Sequence, residues 1–60
     1  MMDQNIVSTA VSLLQHHAAM AFDIAEERFF VYLDSQDVVR AAFWLAVAQE
    51  VQQLQSATKH

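Results

Sequence analysis

The side chains able to do chemistry are few. The chain has three histidines, seven carboxylates, three cations and no cysteine in 60 residues. His16 and His17 are adjacent, and Asp23 and Glu27 lie four apart. On a helix of about 3.6 residues per turn, His16, Asp23 and Glu27 fall on one stripe, with Met20 completing the spacing. Two carboxylates and an imidazole suit a divalent metal only if partner helices add further ligands. The E-x-x-H pairs of di-iron bundles are missing, because Glu26 is followed at the third position by Phe29 and Glu27 by Phe30. The stripe therefore reads as a charged, solvated face, and no metal or other cofactor is expected. A ligand- or metal-binding bundle using His16, His17, Asp23 and Glu27 is the alternative.

His17 falls among apolar positions and is expected to be a core or interface histidine with one ring nitrogen satisfied by a neighbour. Its sharper reading is a ligand or a pH-sensitive group. No Ser/His/Asp triad fits two helices at these spacings, and without glycine there is no phosphate loop. Without cysteine there is no thiol chemistry or disulfide. The chain is not expected to be an enzyme.

Arg28 also falls in the apolar arc, where a buried guanidinium needs a partner. Asp37 across the turn, or an acid of a second subunit, is the expected one. Phe22, Phe29 and Phe30, with Leu33, spill from that arc toward the polar side. They either wrap the end of the bundle or form an aromatic patch that docks another protein. Phe22, Arg28, Phe29 and Phe30 make the expected partner-binding surface.

These residues must be carried by helices. The chain has no glycine and no proline, the strongest breaks in local structure. A first helix is expected over about 4–33, capped by Asp3 or Asn5. Its apolar arc runs through Ile6, Val7, Ala10, Val11, Leu14, Ala21 and Ile24, with Ser8, Ser12, His16, Asp23 and Glu27 opposite. Asp23 and Glu26 have the D-x-x-E form of a capping box, so a kink near Asp23 is possible. Asp34-Ser35-Gln36-Asp37 reads as a tight turn, with Asp34 or Ser35 as N-cap and Asp37 favouring the next helix's positive end. A second helix is expected over about 35–56, followed by a frayed tail.

The densest apolar stretch, residues 38–48, is broken only by Arg40. It carries one stripe of large residues, Phe43, Trp44, Val47, Val51 and Leu54. A second stripe, Val38, Ala41, Ala42, Leu45 and Ala48, lies roughly on the other side. A single partner helix cannot cover both. Ile6, Val7, Ala10 and Val11 would also overhang the shorter second helix. The expected fold is therefore all-α: one antiparallel two-helix hairpin domain over 1–60, dimerising into a four-helix bundle. Ile6, Val7, Val11, Ala41, Leu45 and Ala48 are the expected dimer interface.

Composition agrees with self-association. A chain this short buries only about 60% of its unfolded surface, yet 55% of its residues are hydrophobic. The net charge of −4 and the scatter of Arg28, Arg40 and Lys59 argue against nucleic acid and anionic membranes. No apolar run reaches the roughly 20 residues of a membrane span, and the first residues lack the positive start of a signal peptide. The expectation is a cytoplasmic homodimer that regulates, inhibits or chaperones an unidentified protein partner. In architecture it resembles the Rop-type plasmid copy-number regulators, whose two-helix chains pair into four-helix bundles. The likeness is one of fold pattern, and the acidic balance carries no RNA-binding expectation.

Overall fold

With neither glycine nor proline to stop it, the backbone is helical almost throughout, and every interruption has to be made by an ordinary residue. A computed structural model describes residues 4–58. It contains α1 (Gln4–His17), a single 3₁₀ turn (Ala18–Met20), α2 (Ala21–Asp34) and α3 (Val38–Thr58). There is no strand among the described residues. Asp3, proposed above as a cap, and the last two residues of the tail lie outside them. The helical arms form a hairpin: α2 packs along the first part of α3, and α1 packs along its later part.

The first arm is not one continuous helix, and its break lies before Asp23. His17 leaves the helical region with φ −126 and ψ −6. Ala18 then takes φ 48, the left-handed region, which costs an L-residue about 1–2 kcal/mol. The D-x-x-E pair does not cap α2, whose N-cap position is Met20 with no side-chain cap. Asp23 instead sits in the first turn of α2, and His16 and His17 in the last turn of α1. Each is at the helix end whose partial charge suits it.

The bend is offset by what it lets α1 bury. Ala10 is fully buried in one cluster with Ala21, Ala25, Val47, Ala48 and Val51, and Ile6, Leu13 and Leu14 pack against that cluster. Full burial of a Leu or Ile is worth roughly 1.5–3 kcal/mol. Partial burial of three such side chains therefore outweighs one strained alanine. The overhang expected for a straight arm is correspondingly reduced. Ala10 is buried, Ile6 and Val7 are half-buried, and only Val11 of that group remains exposed.

The turn is closed by backbone bonds. The Asp37 N–H donates to the Tyr32 carbonyl at 2.9 Å and the Gln36 N–H to the Leu33 carbonyl at 3.0 Å. Gln36 has φ 63. This is the Schellman arrangement, in which a left-handed residue lets the last free carbonyls of a helix find donors. The N-cap of α3 is Asp37, not Asp34 or Ser35: its Oδ1 accepts from the Arg40 N–H at 3.2 Å. That satisfies one of the donors left free at a helix start. The second helix therefore begins at Val38 and runs to Thr58.

Small residues set the spacing of the arms. Ala21 and Ala25 of α2 and Ala41 and Ala48 of α3 are all buried, and alanine faces let helix axes approach near the short end of 8–10 Å. The packing inside the hairpin thus draws on both stripes of α3. Trp44, Val47 and Val51 come from the large stripe, and Ala41 and Ala48 from the small one. Val38, Ala42 and Leu45 stay outside. The chain measures 38 × 26 × 17 Å.

Candidate functional site

The buried alanines Ala21 and Ala25 fix the face of α2 that looks at α3. At about 100° per residue, Asp23, Glu27, Phe30 and Asp34 then point away from the hairpin. Phe22, Phe29 and Leu33 lie along one flank, and Ile24 and Val31 along the other. For α3, whose inner face carries Ala41, Trp44, Val47, Ala48 and Val51, one flank holds Val38 and Leu45 and the other Phe43 and Leu54. Two right-handed helices running antiparallel bring matching flanks to the same side. Phe22, Phe29 and Leu33 thereby share a side with Val38 and Leu45.

That side is open. Val38 is 67% exposed, Leu45 43% and Leu33 47%, and Ala42 between the two α3 residues is exposed. Val39, at the outer edge, is 81% exposed. Phe22 packs against the core and Phe29 is half-buried. Of the residues expected at a dimer interface, Leu45 lies on this side. Ala41 and Ala48 are already buried within the single chain, and Ile6 and Val7 are half-buried.

The residues expected to meet another protein do not form one patch. Phe30 is 56% exposed on the outward face of α2, its ring 5.1 Å from that of Phe29. Arg28 is two positions earlier, about 200° around the helix. Its guanidinium lies over the Trp44 ring at 5.1 Å. It is exposed, so it is not the buried cation foreseen. Its foreseen partner is occupied elsewhere: Asp37 Oδ2 lies 3.6 Å from Arg40 Nε. Arg40 in turn lies over Tyr32 at 5.8 Å. Two cation–aromatic rungs, Arg40 on Tyr32 and Arg28 on Trp44, thus cross the hairpin, each worth about 0.5–1 kcal/mol at such exposed positions. The pairing of Arg40 with Tyr32 had a readable signal in antiparallel register about a turn at residues 35–37.

The histidines are placed by the break at Ala18. His16 is tied to its own helix, its Nδ1–H donating to the Ser12 carbonyl at 2.8 Å. His17 is exposed in the single chain, so it is not a core histidine of the hairpin. It lines an open cleft of about 440 Å³ with Ile24, Glu27, Arg28, Val31 and Tyr32. The stripe of His16, Asp23 and Glu27 required an unbroken helix, and the left-handed Ala18 divides it. Among the described residues no three His, Asp or Glu side chains are grouped to hold a metal ion. A second cleft, of about 380 Å³, lies between Val11, Leu14 and Gln15 of α1 and Leu54 and Gln55 of α3.

Among the described residues no helix is long and apolar enough to cross a membrane. Compared with known proteins, the chain matches no family model, and no curated protein or solved structure is significantly similar to it.

Proposed function

We propose that this chain is a small, non-enzymatic protein-interaction module of the cytoplasm that works as a homodimeric helical bundle and regulates, inhibits or chaperones another protein. One observation carries the reading. The largest fully buried side chains are Val47 and Val51. Among the described residues no Phe, Trp, Tyr, Leu, Ile or Met is buried in the single chain. A core of alanine and valine is small for a domain that has no disulfide to supplement it. The exposed surface points the same way. It is 4529 Å², against about 3,950 Å² for a folded monomer of 6.8 kDa.

Sedimentation equilibrium tests the reading. A mass of twice the chain at micromolar concentration supports it, and a monomer up to about millimolar, the weakest range of specific binding, refutes it. The alternative, a ligand-binding bundle, retains one observation: His17 and Glu27 line the same cleft as Arg28. Its test is an NMR screen of small carboxylates and amines, and shifts confined to Ile24, Arg28 and Val31 would favour it.

A further inference from the structure

We infer that the side of the hairpin formed by Phe22, Phe29 and Leu33 of α2 and Val38 and Leu45 of α3 is occupied by a second copy of the same chain, related by a twofold axis. The inference rests on the homodimer reading above and assigns the surface that makes the pair.

Charge selects the side. The chain carries −4, so two copies repel unless they meet where carboxylates are few. From Ala41 to Thr58 the only charged residue of α3 is Glu50, and at about 100° per residue it falls on the flank away from Leu45. Below Leu45 the same flank continues as Gln49, Gln52 and Ser56, all uncharged and exposed. On α2 the acids Asp23 and Asp34 point outward and Glu27 lines the opposite side with Ile24 and Val31, so Glu26, between Phe22 and Leu33, is the one acid that α2 places on this side. The opposite side carries Glu27, Arg28, Arg40 and Glu50, so pairing there would desolvate charges of both signs. A strongly basic partner would be drawn to the outward acids of α2, not to a surface that carries only Glu26. A surface this apolar is best met by another like it, and this chain supplies one.

Shape agrees. The side contains both halves of a packing scheme. The large Phe29, Leu33 and Leu45 stand beside the small, exposed Ala42, and a twofold axis presents each to the other. Pairing there stacks one two-helix layer on another, which is the four-helix arrangement.

The test compares the wild type with Val38→Glu, Leu45→Glu and, on the opposite side, Val31→Glu, by sedimentation equilibrium. Val38 is the first residue of α3, where a carboxylate favours the helix, and circular dichroism checks that each variant stays helical. Val38→Glu and Leu45→Glu are expected to weaken self-association about 100-fold or more, because each places an unpaired charge in the interface. Val31→Glu, 55% exposed in the wild type, is expected to leave it within about threefold, the range of ordinary surface changes. If the first two pair as tightly as the wild type, the assigned side is wrong while self-association stands. A wild type that is monomeric throughout removes both.

Discussion

Ala18 is the residue on which the shape of the first arm depends. Its φ of 48 is a conformation that glycine takes freely and alanine does not. Ala18→Gly is therefore expected to stabilise the protein by about 0.5–1 kcal/mol, the relief of strain exceeding the entropy gained by the unfolded chain. Were the helix straight through this position, the same change would cost about 1 kcal/mol. Urea unfolding of the two proteins distinguishes the cases by sign. Asp37 is the second such position. Asp37→Ala removes the acceptor for the Arg40 N–H and is expected to cost about 1 kcal/mol. Asp37→Asn keeps the acceptor and should recover most of that loss in the same assay. Phe30 is the contrasting case. It stands outward and exposed, so Phe30→Ser should change stability by no more than about 0.5 kcal/mol and leave the dimer intact, while weakening capture of a protein partner.

At the scale of elements, the arms are held by alanine contacts that leave little room. Ala48→Leu would add bulk where α2 and α3 approach, and overpacking of this kind costs about 1–3 kcal/mol. Thermal denaturation followed by circular dichroism reads it. Val39→Leu, at the outer edge of the same helix and 81% exposed, should not lower stability in this way. The helical content and the turn were legible in the sequence, whereas Ala41 and Ala48, expected between two copies, are buried within the single hairpin. Helical periodicity, the lack of glycine and proline, and the run of polar residues 34–37 depend only on local chemistry. The break at residues 18–20 was not legible, because alanine is the strongest helix former and gives no sign of a left-handed turn. What imposes the break is tertiary: a bent α1 reaches α3 and a straight one overhangs it. The weak local signs were the histidine pair that ends α1 and the acid that begins α2. The D-x-x-E spacing drew attention three residues too late. His17 was misplaced for the same reason, since its assignment to a buried arc assumed one unbroken helix, whereas Arg28 keeps its place beside Ala21 on α2 and its guanidinium reaches outward over Trp44.

At the scale of the whole molecule, the account turns on a mismatch between what the chain can bury alone and what it exposes. Among the described residues two valines and five alanines form the buried interior, while a valine- and leucine-bearing side of the hairpin stays open. On the proposed pairing, folding and association are coupled, and the folded state gains stability by mass action. The most direct measurement is the urea midpoint of the wild-type chain over a hundredfold range of protein concentration. For a dimer that unfolds to separate chains, each tenfold increase is worth about 1.4 kcal/mol, so the midpoint should rise steadily. A midpoint independent of concentration would mean that the single chain is stable by itself, and would contradict the account.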